Sequence, residues 1–96
     1  MSLLDQAQLA RFEGFADRVL VAAMQAAADV AAEAPSGDQR RDSLRKTLAT
    51  NVLNDPEGYH VRFAWAVARN AAITFESTDS DIQFTVNSMW DGMAGV

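Results

Sequence analysis

The sequence predicts a small all-α protein, a bundle of about four helices in a single domain that spans residues 1–96. Apolar residues recur at intervals of three and four along four separate segments, as in amphipathic helices. Turn signals rich in proline, glycine or aspartate separate these segments. The chain has 96 residues, of which 49% are hydrophobic. This is enough for one modest core and leaves little room for a second domain.

The first helix is expected from Asp5 to Ala34. Its apolar face consists of Leu9, Phe12, Ala16, Val19, Ala23, Ala26 and Val30. Gly14 lies inside this segment, and an interior glycine costs roughly 1 kcal/mol relative to alanine. Two alternatives therefore stay open: a continuous helix, or a short helix to Glu13 followed by a long one from Phe15. The alanine-rich second half permits a neighbouring helix to approach closely, and Pro35-Ser36-Gly37 ends the helix.

The second helix is expected from Asp38 to Leu53, with either Asp38 or Ser36 as its cap. Its apolar residues repeat every four positions, at Leu44, Leu48 and Val52. Half of the basic residues of the chain lie on this helix, namely Arg40, Arg41, Arg45 and Lys46. Asp42 and Lys46 are placed for an ion pair four residues apart. The basic cluster has three interpretations: a solvated helix face, contact with an acidic protein, or contact with phosphates.

The third helix is expected to begin at Asp55-Pro56-Glu57, which combines a capping aspartate with proline at the first helical position. It is expected to end near Arg69-Asn70 and is apolar on two sides. One stripe holds Tyr59, Phe63, Ala66 and Val67, and the other holds Val61, Trp65, Ala68 and Ala72. Such a helix is either central in the bundle or shared with a partner. The following segment, Ala71 to Ser77, is expected to be a loop or a short extended piece.

The fourth helix is expected to open at Thr78-Asp79-Ser80-Asp81, with Thr78 as its cap and Asp81 three residues later, as in a capping box. Its apolar stripe consists of Ile82, Val86, Met89, Trp90 and Met93. Trp90 is expected in the core, whereas Trp65 on the third helix suits a core and an interface equally well. Phe84 lies roughly opposite the stripe and is a candidate for a protein interface.

The side chains that catalysis or metal binding would need are scarce. His60 is the only histidine and there is no cysteine, which excludes a two-histidine zinc site, a catalytic triad and disulfides within one chain. Asp79 and Asp81 lie where a helix start favours negative charge, and the glycines are scattered rather than gathered in a phosphate-binding loop. We therefore expect no enzyme: no catalytic residue, no cofactor and no metal.

The charge of the chain favours protein partners. A net charge of −5 and a pI near 4.5 argue against a general nucleic-acid binder, which normally carries a basic excess. No secretory signal peptide is expected at the start, and Val19 to Ala34 is too short and polar to span a membrane. The residues expected at protein interfaces are Val61, Trp65, Phe84, Arg40, Arg41, Arg45 and Lys46.

The last part of the chain carries a distinctive pattern. Residues 78–90 read Thr-Asp-Ser-Asp-Ile-Gln-Phe-Thr-Val-Asn-Ser-Met-Trp, and Ala94-Gly95-Val96 follows. This pattern, most specifically its residues 81–88, resembles a recurring C-terminal signature of small proteins from tailed bacteriophages and prophages. The length, the alanine-rich first helix and the break at Leu53-Asn54-Asp55-Pro56 are also similar. The resemblance covers about Phe15 to Val96.

The resemblance implies a virion structural or assembly protein, with no catalytic residues to transfer. Small helical head-to-tail adaptors that form rings on the portal agree with this size and class. It implies an oligomer with portal, capsid or tail proteins as partners, located in the virion after assembly in the host cytoplasm. The second stripe through Val61 and Trp65, together with Phe84, would supply the contact surfaces. No long basic or hydrophobic terminal segment is obvious that could bind a neighbouring protein, so an accessory role in the phage tail or capsid stays open.

Two other classes of function are alternatives. The first is a small helical regulatory binder, either a repressor or an inhibitor of a host protein, and the basic residues of the second helix would carry it. The second is an enzyme, which the scarcity of histidine, cysteine and glycine loops disfavours.

Overall fold

The computed structural model describes residues 5–92, and within them the chain forms four helices and no strand. Helix α1 spans Gln6–Ala32, α2 spans Gln39–Asn54, α3 spans Pro56–Ala68 and α4 spans Asp79–Gly92. The predicted all-α fold is confirmed. Met93, expected in the fourth stripe, and Ala94-Gly95-Val96, at the end of the distinctive pattern, lie outside the described residues.

Each helix is capped by a side-chain oxygen that accepts a hydrogen bond from the backbone N–H three residues later. The four caps are Asp5, Asp38, Asp55 and Thr78, with N···O distances of 2.8, 3.1, 3.2 and 3.1 Å. These bonds satisfy N–H groups that have no partner inside the helix. The helix starts were therefore predicted to within one residue, since each cap is a local signal.

Ser36 does not cap α2 but binds the carboxylate of Asp42. Its backbone N–H and its hydroxyl donate to Asp42 at 2.8 and 2.7 Å. The predicted pair between Asp42 and Lys46 is wrong, because Lys46 Nζ instead donates to the carbonyl of Glu33 at 2.6 Å. The chain turns at Gly37, whose φ of 92° lies in the left-handed region that favours glycine.

Helix α1 runs through Gly14 without a break and is 27 residues long, so the continuous alternative is confirmed. A Cβ atom added at Gly14 would meet nothing within 4 Å. The helix ends at Ala32 rather than at Ala34, because Glu33 already has an extended backbone with ψ of 141°.

The other three helices pack on α1. Helices α2 and α3 follow it one after the other in the opposite direction, since Arg45 pairs with Glu33 and Trp65 lies against Phe12. Helix α4 runs in the same direction as α1, since Asp79 pairs with Arg18 and Gln83 donates to the carbonyl of Ala22. Helix α1 is therefore the central element of the bundle.

The buried side of α1 combines small and large side chains. It consists of Phe15, Ala16, Val19, Ala22, Ala23, Ala26, Ala27 and Val30. Leu9, predicted on this face, is 46% exposed. The expected loop over residues 71–77 is a series of turns without a strand, and it places Phe75 over Phe15 with ring centroids 5.1 Å apart.

The buried face of α2 differs from the predicted one. Arg45, Ala49 and Val52 are buried, Leu48 is partly buried, and Leu44 is exposed. The prediction from period-four leucines was wrong for Leu44. A small residue on α2 lets the helix approach the alanine surface of α1 closely, and this close contact outweighs burial of the larger leucine.

Candidate protein-interaction surfaces

An apolar groove lies between the start of α1 and the end of α3, and we name it the Trp65 groove. It is lined by Gln8, Leu9, Arg11, Phe12, Trp65, Ala68 and Phe75, and its volume is about 420 Å³. The ring centroid of Phe12 lies 5.1 Å from that of Trp65 and 6.1 Å from that of Phe75. These distances are typical of attractive aromatic pairs. The three aromatic rings therefore pack against one another and form one wall of the groove.

The groove is open because α3 packs through only one of its two apolar stripes. Phe63, Ala64 and Val67 are buried, which turns the second stripe outward. Trp65 is 55% exposed and Val61 is 51% exposed. Contiguous apolar surface with a polar rim is typical of interaction sites. Of the two alternatives for Trp65, the structure gives the exposed one, and its role at an interface stays a prediction.

Two arginines lie at the groove. Arg11 lines it and pairs with Glu76. Arg69 is exposed, follows the lining residue Ala68 directly and lies four residues after Trp65. Among the described residues no carboxylate oxygen lies within 4 Å of Arg69. The rim of the groove thus carries one uncompensated positive charge in a protein whose net charge is −5.

Helix α4 carries a second candidate surface, centred on the exposed ring of Phe84. The helix packs through Ile82, Thr85, Val86 and Trp90, so that Phe84 faces outward and is 74% exposed. One turn away lie exposed polar side chains, and these are Ser80, Asp81, Asn87 and Ser88. We name this set, with Phe84, the Phe84 face. Phe84 is exposed as predicted, and whether it contacts a partner stays a prediction.

The Phe84 face carries one free carboxylate. Helix α4 contains three aspartates and no basic residue. Asp79 pairs with Arg18 at 2.8 Å and Asp91 pairs with Arg45 at 3.1 Å. Asp81, three residues before Phe84, has no cationic partner within 4 Å in the part of the chain that the structure describes.

The predicted basic cluster on α2 does not form one surface. Arg40 is exposed, Arg41 lies 3.8 Å from the Asp42 carboxylate, and Lys46 binds the carbonyl of Glu33. For Arg45 the structure corrects the prediction of an interface residue, because this side chain is only 3% exposed. What the sequence suggested as a continuous positive face is divided among contacts within the chain.

Arg45 instead joins three helices. Its guanidinium donates to Glu33 at the end of α1 at 2.6 Å and to Asp91 at the end of α4 at 3.1 Å. Its backbone carbonyl accepts a hydrogen bond from Trp90 Nε1 at 3.3 Å. The spacing of Arg45, Ala49 and Val52 is four and three residues, the spacing of a buried helix face. This spacing was the signal in the sequence, but the positive charge favoured a surface position.

His60 lies between α1 and α3. Its Nε2 is 2.9 Å from Asp17 Oδ1 but has no hydrogen bond of regular geometry. In the described part of the chain, no three side chains of histidine, cysteine, aspartate or glutamate are grouped to hold a metal ion. The geometry around His60 thus indicates a contact between two helices.

Among residues 5–92, none of the helices combines the length and the apolar character that a membrane crossing requires. Comparison of the chain with protein-family models, with curated proteins and with solved structures finds no match.

Proposed function

We propose that this protein is a structural or assembly component of a tailed-phage particle, a connector at the head–tail junction that packs against other proteins in a ring of copies. The observation that carries the proposal is the pair of surfaces with exposed aromatic side chains, the Trp65 groove and the Phe84 face, on a small helical bundle. Binding through surfaces of this kind requires no catalytic group.

The energetics of a small domain support a role in assembly. Burying one large apolar side chain contributes about 1.5–3 kcal/mol, and Trp65, Val61 and Phe84 are all at least half exposed. A chain of 96 residues buries a smaller fraction of its surface than a large protein does. Contact with a partner would cover these side chains and stabilise the folded state at the same time.

The resemblance to small phage proteins supports the virion context. Its most specific segment, residues 81–88, lies in α4. That segment supplies buried residues, among them Ile82 and Val86, and also the exposed Phe84. The same segment thus contributes side chains both to the core and to an exposed surface, and an assembly protein requires both.

A repressor that uses α2 receives no support from the geometry. Arg45 is buried between Glu33 and Asp91, and Lys46 is bound to a backbone carbonyl. A phosphate-binding surface on this helix would therefore lack two of its four predicted cations.

Crosslinking of purified particles, followed by mass spectrometry, tests the proposal. We expect crosslinks from this protein to the portal protein and to further copies of itself. Absence of the protein from purified particles would contradict a virion role. Crosslinks to tail or capsid proteins alone would contradict the connector position.

Complementation gives an independent test. Particles made without this protein should accumulate as heads without tails, and the wild-type protein should restore complete particles. The double variant Trp65→Ala/Phe84→Ala should restore few. The control variant Ala28→Ser changes an exposed residue of α1 outside both surfaces and should restore them fully. Full restoration by the double variant would contradict a role for the two surfaces.

A further inference from the structure

We infer that copies of this chain associate head to tail, with the Phe84 face of one copy docked in the Trp65 groove of the next. The inference rests on the proposed function and names one partner for its surfaces, a second copy of the chain. The association joins two different surfaces of the same molecule, and three features of the structure carry it.

The first feature is the positive charge that remains without a partner at the groove. The chain has eight basic residues. Four arginines pair with carboxylates within the described residues, and Lys46 binds the Glu33 carbonyl. The three remaining are Arg40, Arg62 and Arg69. Arg62 lies over the ring of Tyr59, 5.5 Å from its centroid, beside another cavity, whereas Arg69 lies at the groove, one turn after Trp65. An apolar groove with a free arginine on its rim favours an occupant that is apolar at its centre and acidic at its edge.

The second feature is that the Phe84 face has this character. Phe84 supplies one exposed aromatic ring, and aromatic side chains bury roughly 150–250 Å² each. Asp81 supplies an unpaired carboxylate one turn before it. The groove, with a volume of about 420 Å³ and walls formed by Phe12, Trp65 and Phe75, is wide enough to receive the ring. Asp81 would then approach Arg69 on the rim.

The third feature is that the two surfaces lie apart on one chain. Trp65 contacts α1 at Phe12, whereas Gln83, next to Phe84, binds α1 at Ala22. Phe12 and Ala22 are ten residues apart on α1, which corresponds to about 15 Å along the helix axis. The Phe84 face of a copy therefore does not fill the groove of the same copy.

This separation determines the kind of assembly. When two copies join through one groove and one Phe84 face, each copy keeps one surface free for a further copy. Such a contact propagates to a closed ring or an open filament. A two-fold dimer through the grooves alone would instead bring Arg69 of both copies close together and leave both Asp81 carboxylates unpaired, and this electrostatic mismatch disfavours it.

Sedimentation velocity over a range of protein concentrations tests the inference with the full chain. We expect the wild type to self-associate, and we expect Phe84→Ala and Trp65→Ala each to raise the dissociation constant at least tenfold. An equal mixture of these two variants should form heterodimers and nothing larger, because each variant keeps one intact surface. The control Val21→Ala changes another exposed residue and should associate as the wild type does.

Charge reversal makes the test independent of the tryptophan. Asp81→Arg and Arg69→Asp should each weaken association, whereas the double variant should recover most of it, because the two charges are exchanged across the contact. Wild-type association of Phe84→Ala or Trp65→Ala, or failure of the double charge variant to recover, would overturn the inference.

Failure of the inference and failure of the proposed function give different results. A wild type that stays monomeric at every concentration, but crosslinks to the portal in particles, overturns the head-to-tail contact and leaves the virion role. An oligomer that forms through the two surfaces, from a protein absent from purified particles, overturns the virion role and leaves the contact.

Discussion

The two ends of α1 differ in how completely the other helices cover them. At the alanine end, Ala22 to Val30, the inward side chains are at most 4% exposed. At the aromatic end, Gln6 to Phe12, α1 meets large rings, and the Trp65 groove stays open between them. Both ends present apolar side chains to the neighbouring helices, so hydrophobicity alone does not explain the difference.

The difference shows what side-chain size does in a small bundle. Alanines let α2 and α4 approach α1 closely, and one large residue, Trp90, fills the space between the helices and is 1% exposed. At the aromatic end α4 is absent, because it begins at the level of Arg18. The rings there pack against α3 and the turn that follows it, and no side chain of residues 5–92 covers their outer edges. The alanine end therefore holds the tightly packed core, and the aromatic end leaves apolar surface exposed.

Replacement of the two tryptophans is the strongest test of this comparison. Trp90→Ala should lower the free energy of unfolding by about 3–5 kcal/mol, since it empties a fully buried site. Trp65→Ala should lower it by about 1 kcal/mol or less, since more than half of that side chain is already exposed. Urea denaturation followed by circular dichroism measures both. Equal losses would show that the groove is part of the stabilising core.

Removal of the charges that hold Arg45 tests how the alanine end is closed. The double variant Glu33→Gln/Asp91→Asn should lower the free energy of unfolding by about 2–3 kcal/mol, because it leaves a buried guanidinium without carboxylate partners. Arg45→Met should change it by less than about 1 kcal/mol, since both acids are then solvated. If chemical denaturation showed a larger loss for Arg45→Met than for the double variant, the ion pairs themselves, rather than burial of the cation, would determine the stability.

Enlarging one alanine tests the close helix contact. Ala23→Leu should lower the free energy of unfolding by about 1–3 kcal/mol, because Ala23 is fully buried and extra methyl groups force the helices apart. The matched variant Ala28→Leu, on the exposed side of the same helix, should stay within about 0.5 kcal/mol of the wild type. Thermal unfolding of the two variants compares them directly. If Ala23→Leu were tolerated as well as Ala28→Leu, the alanine end would not be tightly packed.

A glycine replacement tests the start of α1. Gly14→Ala should raise the free energy of unfolding by roughly 0.5–1 kcal/mol, because the added methyl group meets no other atom and alanine favours the helix. Gly58→Ala is the contrasting variant, since its added methyl group would clash with the capping carboxylate of Asp55 and should lower stability. A destabilising Gly14→Ala in urea titrations would show that α1 bends at this position.

The smallest expected effect concerns pH and the turn at the alanine end. Hydrogen bonds from the Ser36 hydroxyl and backbone N–H hold the pKa of Asp42 below its usual 3.8. A carboxyl group whose pKa is lower in the folded state stabilises it above the unfolded pKa, and this stabilisation is lost as the pH falls through the folded pKa. Asp42→Asn should therefore be less stable than the wild type at pH 6, and this difference should begin to shrink near pH 3.8 and vanish once the pH is below the folded pKa of Asp42. If urea denaturation at acidic pH still showed this difference between the wild type and Asp42→Asn, the hydrogen bonds of the Asp42 carboxylate would not be its cause.

Much of the secondary structure could be predicted because its signals are local. Asp55-Pro56 and Thr78 begin their helices as expected, since a cap involves residues only three apart. The outward position of Phe84 also followed from spacing within one helix. Gly14 left two alternatives, because an intrinsic penalty of roughly 1 kcal/mol is smaller than the packing that decides whether a helix continues.

The position of Arg45 could not be read in the same way. Its charge indicated a surface residue, and its spacing from Ala49 and Val52 indicated a buried one. The contacts that decide the matter come from Glu33 and Asp91, which lie 12 and 46 residues away along the chain. A buried guanidinium is tolerated only with such partners, and the sequence around Arg45 does not indicate them.

The sequence by itself determined four helices, their caps and the surfaces that each helix can offer, because these depend on neighbours within one or two turns. Only the tertiary structure decided which of these surfaces are covered. Helix α4 reaches the alanine end of α1 and not the aromatic end, so Trp90 is buried while Trp65 stays exposed. Whether a surface is buried depends on where distant helices begin along α1, and the periodicity within one helix does not predict that position.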